Sequence, residues 1–303
     1  MRIAVVCDNR RWKGPSEPFR PVAEGLRRLG HAVQPVAPGD DWPLVAVRPD
    51  AMFLWNGVHG RWGLIAERCR RDGIRTFIME RGFFDRFRCT QIDGRGFNHT
   101  ASWAADLRQP APPEGPQRFA RVWGRKPRRI RRTKSRRVLV LCQVPADAQL
   151  RDSELHHPGP FVQAVEDAAP PGVEIRVRAH PLSAWSCGTS RRSRMTQAAL
   201  GKALADAAFA VTINSNAGNE ALARGCPLLC LGPALYAIAG VAMQTKLCRL
   251  ADLMQLMLDG WRPAQGDVEN YLYQLACRQW SSQELARGDV LERLLAEADG
   301  PTA

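Results

Sequence analysis

A predicted strand that ends in three small polar residues is the part of this sequence best suited to bind an anion. The apolar run Ala208–Ile213 predicts a buried strand, and Asn214, Ser215 and Asn216 follow it before a helical pattern that stops at Gly225. Free backbone N–H groups and the helix dipole converge at such a turn, and the side chains add donors. An ordinary helix N-cap is the alternative, and both interpretations remain open from this segment alone.

A second candidate for phosphate binding lies upstream, where a predicted strand runs into a His-Pro pair. The strand is Val173–Arg178, and Pro181 forces an extended backbone on His180. His180 is therefore expected at the carboxyl end of the strand, where its imidazole can donate to a phosphate and Arg178 adds a positive charge. A lone histidine there is more often structural. Two such strand ends in one sheet predict a pocket for a nucleotide mono- or diphosphate.

These motifs together resemble the second domain of GT-B glycosyltransferases, closest to the capsule-polysaccharide and Kdo-transferase-like group. The resemblance covers roughly residues 138–245 and includes the run GNEALARGCP from Gly218 and the run LGPALY from Leu231. Asn216 stands where the group has a second Ser or Thr. The resemblance implies that the second domain binds a nucleotide-sugar. The donor-binding residues it implies are Arg178, His180, Pro181, Asn214, Ser215, Asn216, Gly218, Glu220, Gly232 and Tyr236.

In the first domain, Glu80-Arg81-Gly82 follows the predicted strand Ile74–Met79 and is similar to the acidic-x-Gly motif that carries the general base in related transferases. The reaction needs a carboxylate or imidazole to take the proton from the acceptor hydroxyl. Glu80 is the first candidate for this base, and direct displacement with inversion follows from that role. An ion pair of Glu80 with Arg81 or Arg86 is the structural alternative. The reserve candidates for the base are Asp85, Asp93 and His99.

The segment 80–100 is also rich in arginine, aromatic and amide side chains. Aromatic rings stack on bases and arginines pair with phosphates, so the segment is expected to contact an anionic acceptor with flat rings. A packed Ω-loop is the alternative. The expected acceptor contacts are Arg81, Arg86, Arg88, Arg95, Phe97 and Asn98.

The net charge of +13 is concentrated in one stretch. Ten Lys or Arg residues and no acidic residue lie between Arg121 and Arg137. Such a run predicts a polyanionic partner or an anionic membrane surface, with a solvated linker as the alternative. The residues expected to bind nucleic acid here are Arg125, Lys126, Arg128, Arg129, Arg131 and Arg132.

The basic run and the segment 80–100 favour DNA as the acceptor, specifically a hydroxymethylated base of the kind found in phage DNA modification. The first alternative is transfer to a capsule or lipid-linked saccharide, with the basic run docking on anionic lipid. The second alternative is a non-catalytic nucleic-acid-binding protein on a transferase scaffold.

Alternating strands and helices predict an α/β fold with two Rossmann-like domains facing a cleft, as in GT-B enzymes. The predicted division is an acceptor-binding domain over 1–115, a basic linker over 116–137, and a nucleotide-sugar-binding domain over 138–303 that ends in helices. A helix is predicted over 193–207, between the strands that carry the two phosphate-binding turns.

Several classes are disfavoured by composition. No apolar run approaches eighteen residues, so no transmembrane helix is expected. Nine cysteines without paired spacing favour a reducing cytoplasm, which is the host cytoplasm if the gene is phage-encoded. No Asp-x-Asp occurs, so no metal site is expected and the transfer is predicted to be metal-independent. No cofactor is expected beyond the nucleotide-sugar co-substrate, and the oligomeric state is left open.

Overall fold

A computed structural model describes residues 1–14, 16–38, 48–58, 60–145, 147–185 and 192–297. The chain divides into two compact units. The first unit is Met1–Trp103 together with the chain from Leu275, and the second is Ala104–Gln274. Each unit is built around one six-stranded sheet, so the predicted α/β class with two Rossmann-like domains is confirmed.

The N-terminal part of the first unit alternates strands and helices, because apolar runs of strand length follow amphipathic helical patterns. Strands β1, β2, β3 and β4 are parallel, and β5 turns back antiparallel beside β4. The elements are β1 (Arg2–Val6), α1 (Asn9–Trp12), α2 (Phe19–Arg28), β2 (Ala32–Val36), β3 (Ala51–Trp55), α3 (Gly60–Arg71), β4 (Arg75–Arg81) and β5 (Cys89–Asp93).

The second unit repeats this architecture with an entirely parallel sheet. Its elements are α4 (Gly115–Trp123), β6 (Arg137–Leu141), α5 (Pro158–Ala168), β7 (Glu174–Arg178), β8 (Ser193–Met195), α6 (Leu200–Ala205), β9 (Phe209–Thr212), α7 (Ala217–Ala223), β10 (Leu228–Cys230), α8 (Leu235–Ile238), β11 (Met243–Gln244), α9 (Leu250–Leu258) and α10 (Gln265–Cys277). The strand order is β11-β10-β9-β6-β7-β8. The central strands are buried on both faces, which explains their continuous apolar runs.

The C-terminal segment belongs to the first unit, whereas the sequence-based division assigned it to the second domain. Its elements are β12 (Trp280–Ser281), α11 (Ser282–Arg287) and α12 (Asp289–Glu297). β12 extends the first sheet to the order β12-β5-β4-β3-β1-β2. α11 packs against α2 so closely that a Cβ on Gly25 would lie 2.0 Å from the carbonyl oxygen of Leu285. Leu285 and Leu291 accordingly share the apolar core of the first unit with Phe19.

The segment predicted as a basic linker is structured and belongs to the second unit. Its first part is helix α4, whose Phe119 is fully buried. The remainder is extended and hydrogen-bonded to the body of the unit: the backbone N–H of Arg128 donates to Ala223 and that of Arg131 donates to Gly225. The helix predicted over 193–207 also differs, because Ser193–Met195 instead forms β8 beside β7 and the helix occupies only Leu200–Ala205.

Candidate functional site

The two predicted phosphate-binding turns lie at the same edge of the second sheet. β7 ends at Arg178 and β9 ends at Thr212, and all strands of this sheet run parallel. Strand β6 separates β7 from β9. Adjacent strands are about 4.8 Å apart, so the two turns are separated by about 10 Å at the carboxyl edge. This edge is where ligands bind in open α/β sheets.

Arg178 ends β7, and its guanidinium has no hydrogen-bonding or ionic partner among the described residues. Its Nε is buried and makes no hydrogen bond. An unsatisfied buried donor costs on the order of 1–3 kcal/mol, and more when it is charged. An arginine that bears this cost at the ligand-binding edge of a sheet is explained most simply by an anion that binds there.

The ring of His180 is oriented by the backbone of its own turn. Its Nδ1 accepts a hydrogen bond from the N–H of Leu182 at 3.1 Å, and its carbonyl accepts one from Ser183 at 2.9 Å. A nitrogen that accepts a hydrogen bond carries no proton, so this geometry fixes the tautomer with hydrogen on Nε2. In that tautomer Nε2–H is the ring's donor, which is the state needed to bind a phosphate oxygen.

Ser215 lies in the turn between β9 and α7. Its Oγ accepts a hydrogen bond from the N–H of Ala217 at 3.2 Å, and its own N–H donates to Thr212 Oγ1 at 3.2 Å. Among the described residues the hydroxyl proton has no acceptor, so it can be donated to a ligand. Its neighbour Asn216 instead accepts from Asn219 Nδ2 at 3.0 Å through its side-chain oxygen.

Asn214 connects three loops at this edge. Its Oδ1 accepts from Gln143 Nε2 at 3.0 Å, and its Nδ2 donates to the carbonyls of Gln149 at 2.5 Å and Pro233 at 3.2 Å. The side chain is buried and its hydrogen-bonding capacity is used within the protein. The side chain therefore holds these loops together, and its contact with the donor stays a prediction. Gln143, which the sequence-based reasoning missed, lies between the two phosphate-binding turns.

Four other residues implied as donor contacts have structural partners. A Cβ on Gly218 would lie 2.7 Å from the ring of Tyr236, and one on Gly232 would lie 2.4 Å from Ser153 Oγ, so both glycines permit close packing. The hydroxyl of Tyr236 donates to the carbonyl of Ser215 at 3.2 Å, and burial raises the pKa of Tyr236 well above its usual value. Glu220 forms an ion pair with Arg224 at 3.0 Å.

In the first unit, Glu80 lies near the carboxyl end of β4, as predicted. Its Oε2 accepts from Asn56 Nδ2 at 3.1 Å and its Oε1 accepts from the N–H of Arg81 at 2.8 Å. Asn56 follows β3 in a left-handed conformation, with φ of 61°. The two hydrogen bonds hold the half-buried carboxylate in one orientation. The guanidinium of Arg81 does not pair with Glu80, since it bonds to Glu17 at 2.7 Å.

A cluster that the sequence did not reveal lies beside Glu80. Glu17 is held between two arginines, with Arg11 at 2.7 Å and Arg81 at 2.7 Å. Both guanidinium groups lie over the indole ring of Trp55, at 4.3 Å and 5.3 Å from its centroid. The sequence places Trp55 at the end of a strand, which could have marked this position. Arg11 and Glu17 are distant from Trp55 in sequence, so their contact with this position depends on the fold.

The reserve candidates for the base have different environments. Asp93 is buried and accepts four hydrogen bonds, from the backbone of Arg95, Gly96 and Ser102 and from the Ser102 hydroxyl at 2.5 Å. Its carboxylate therefore anchors a loop. Asp85 is exposed in the β4–β5 turn with φ of 46°. His99 lies in a half-buried 3-10 turn at Asn98–Thr100.

The expected acceptor-binding loop is largely a β-hairpin packed into the first unit. Phe83, Phe84 and Phe97 are buried, and only Phe87 is exposed, at 71%. The predicted contact by Phe97 is therefore corrected to a core position. Asn98 accepts a hydrogen bond from Gln91 Nε2 at 3.0 Å through its Oδ1, and its backbone N–H donates to Gln91 Oε1 at 3.1 Å. The arginines that remain at the surface are Arg86, Arg88 and Arg95.

The basic run lies at the opposite edge of the second sheet from the phosphate-binding turns. It contacts Ala223 and Gly225, which precede the amino end of β10. The Arg131 guanidinium donates to the carbonyls of Leu204 and Ala205, at the end of α6. The exposed members of the run are Arg121, Arg125, Lys126, Arg128, Arg129, Arg132, Lys134 and Arg136.

The described residues contain no group of three or more His, Cys, Asp or Glu side chains that could hold a metal ion. Their helices include none with both the length and the apolar character needed to cross a bilayer.

Comparison with known proteins agrees with the motif-based resemblance. Residues 124–253 match the family described as capsule polysaccharide biosynthesis protein. The chain is similar to Thermosulfurimonas dismutans KpsC, beta Kdo 2,7 transferase, with 16% identity and a TM-score of 0.62 over 97% of this chain and 100% of that one. It is also similar to Thermosulfurimonas dismutans KpsC, beta Kdo 2,4 transferase, with 19% identity and a TM-score of 0.55 over 90% and 98%.

No curated protein matches the sequence. The solved structures establish the fold, which is that of GT-B glycosyltransferases, and the family match lies within the second unit. The resemblance to the capsule-polysaccharide and Kdo-transferase-like group is thereby confirmed.

Proposed function

We propose that the protein is a glycosyltransferase of the capsule-polysaccharide type, which moves a sugar from a nucleotide-sugar bound on the second unit to a saccharide hydroxyl. The observation that carries the proposal is Arg178, whose buried Nε has no hydrogen-bond partner within the described part of the chain and lies at the carboxyl edge of a GT-B-like sheet. His180 and Ser215 add two oriented donors at that edge. The similarity to two Kdo transferases supports the same reaction class.

The chemistry of these residues suits a departing nucleotide phosphate. As the bond to the anomeric carbon breaks, negative charge grows on the phosphate oxygens. Donors that are already oriented stabilise this charge without reorganisation, which is the largest single contribution in many enzymes. Arg178 supplies charge, while His180 Nε2–H and the Ser215 hydroxyl supply hydrogen bonds. Asn214 and Gln143 hold the turn that carries Ser215.

Glu80 is proposed as the general base. A base must hold its carboxylate in a fixed direction, and the hydrogen bonds from Asn56 and Arg81 orient the two carboxylate oxygens of Glu80. Deprotonation of the acceptor hydroxyl by Glu80 and direct attack on the anomeric carbon would invert its configuration.

A saccharide is favoured over DNA as the acceptor because the ring-stacking surface expected for bases is mostly absent. Of the four phenylalanines in the segment 80–100, three are buried. Transfer to a hydroxymethylated base in phage DNA stays a prediction that rests on the basic run. Docking of that run on an anionic membrane also stays a prediction, as does a non-catalytic nucleic-acid-binding role.

A donor panel with two acceptor classes tests the proposal. The protein is incubated with nucleotide-sugars, beginning with a nucleotide-activated Kdo, and with either capsule-type oligosaccharides or hydroxymethylated duplex DNA. Product is measured by mass spectrometry. We expect a glycosylated saccharide, and loss of turnover but not of donor binding in Glu80→Gln. Transfer to DNA alone would contradict the saccharide assignment, and donor binding without transfer to either acceptor would contradict the enzyme assignment.

A further inference from the structure

A cavity of about 270 Å³ lies in the second unit, at the edge of the sheet opposite the phosphate-binding turns. Four of its lining residues are arginines and none is acidic. We call this cavity the arginine pocket. It is lined by Arg125, Arg128, Arg131, Gly201, Ala205 and Arg224.

Two of the four arginines have structural partners that fix their position. Arg131 donates to carbonyls at the end of α6, which neutralises the partial negative charge of that helix end. Arg224 pairs with Glu220 at 3.0 Å and stacks over the indole of Trp123 at 4.4 Å. These contacts make the inner wall of the pocket rigid, since both side chains are at least half-buried.

The other two arginines of the pocket lack structural partners of this kind. Arg125 and Arg128 are exposed at the rim, and neither has a hydrogen-bonding or ionic partner for its guanidinium within the part of the chain that the structure describes. Arg125 makes only a distant stacking contact with Trp123, at 5.8 Å. Four positive side chains therefore line one small space, and the carboxylate of Glu220 pairs with one of them, Arg224.

The pKa of Arg224 reflects the repulsion between the positive charges that line the pocket. Burial lowers the pKa of Arg224, the carboxylate of Glu220 partly offsets this, and the positive charges of Arg125 and Arg128 lower it further. A bound anion would relieve this repulsion. One guanidinium group can bind a phosphate through two parallel N–H donors. Several arginines around one small space are therefore suited to binding phosphate.

We propose that the arginine pocket is a second anion site, distinct from the donor site, that binds a small phosphate-bearing group. The small volume of about 270 Å³ and the half-buried positions of Arg131 and Arg224 favour a phosphate or diphosphate group over the extended backbone of a nucleic acid, which would need a long open surface. The group can belong to a free molecule or to the headgroup of an anionic lipid. The proposal does not depend on the glycosyltransferase assignment.

The test uses inorganic pyrophosphate as the probe, titrated calorimetrically into the full-length protein at low salt. Two double variants remove the same charge from the same segment. Arg125→Gln with Arg128→Gln alters the rim of the pocket and removes only the distant contact of Arg125 with the ring of Trp123. Lys126→Gln with Arg129→Gln is the matched control, because both residues are exposed and neither lines the pocket.

We expect the pocket pair to weaken pyrophosphate binding about tenfold or more, since each lost charge-assisted hydrogen bond is worth about that factor. The control pair should change the affinity by less than about twofold. His180→Ala should leave a pyrophosphate-binding event in place. If both double variants weaken pyrophosphate binding equally, the surface is diffusely basic and the proposal is wrong. The proposal is also wrong if the wild-type protein does not bind pyrophosphate, or if His180→Ala abolishes pyrophosphate binding completely.

Two further arms identify the source of the phosphate. Vesicles of phosphatidylglycerol and phosphatidylcholine are sedimented with the protein, with and without pyrophosphate. If the protein binds the vesicles, if pyrophosphate displaces it, and if the variant Arg125→Gln with Arg128→Gln no longer binds them, the ligand is a lipid headgroup. If the protein binds pyrophosphate but not vesicles, the ligand is a free molecule. Duplex DNA is tested last. If DNA binds tightly, is not displaced by pyrophosphate and is weakened equally by both double variants, the basic run is a nucleic-acid-binding surface and the phosphate-pocket proposal is wrong.

Discussion

Replacing Asn214 by alanine should destabilise the second unit much more than replacing its neighbour Ser215. The Asn214 side chain makes three well-formed hydrogen bonds, with Gln143, Gln149 and Pro233. Each is worth about 0.5–1.5 kcal/mol, and the buried amide of Gln143 loses its acceptor, so the expected loss is about 2–5 kcal/mol of unfolding free energy. Ser215 loses only its bond from Ala217, which predicts a change of about 0.5–1.5 kcal/mol.

Urea unfolding of both variants measures these differences, and hydrogen exchange locates them. Peptides covering 143–153 and 229–236 should exchange faster in Asn214→Ala, because Asn214 ties both loops to the turn after β9. Ser215→Ala should keep wild-type exchange there and lose donor affinity. If Asn214→Ala keeps wild-type stability and exchange but loses donor binding, Asn214 contacts the donor directly and the positioning argument is wrong.

Three further outcomes follow from the fold. Asp93→Ala should lower the unfolding free energy by about 2–4 kcal/mol, because four hydrogen bonds to a buried carboxylate are lost; normal stability with lost turnover would instead make Asp93 the base. Gly25→Ala should lower the thermal midpoint strongly by forcing α11 away from α2, whereas Gly266→Ala, with open space around its Cβ, should not; equal midpoints would contradict the assignment of the C-terminal segment. Burial raises the pKa of the Cys7 thiol to about 12, so mass spectrometry after alkylation at pH 8 should find Cys7 unmodified and the exposed Cys248 modified, and rapid labelling of Cys7 would show that β1 opens readily.

The strand–turn–helix and His-Pro motifs were readable in sequence because each is encoded by a local pattern. The predicted apolar strand before Asn214 is β9, and the strand before His180 is β7. Their placement at one edge followed from the rule that parallel strands share their direction. The fold class and the family resemblance were predictable for the same reason.

What the sequence did not disclose depends on partners far along the chain. The role of Asn214 requires Gln143, which lies 71 residues away. Strand β12 consists of only Trp280 and Ser281 and pairs with Thr90 and Cys89 of β5 far back along the chain, so its sequence carries no local sign of a strand. β5 itself is surrounded by arginines and turn residues that masked its alternation. The arginine pocket likewise joins residues from the basic run to Arg224.

The site at the carboxyl edge of the second sheet is tested most directly by the affinity for a nucleotide-sugar, measured by calorimetry in Arg178→Gln. Lys126→Gln is the control, since it removes the same charge from the opposite edge of the sheet. Loss of a charge-assisted contact with the donor phosphate predicts an affinity about 10- to 100-fold weaker in Arg178→Gln and unchanged in the control. An unchanged affinity in Arg178→Gln would contradict the proposed donor site.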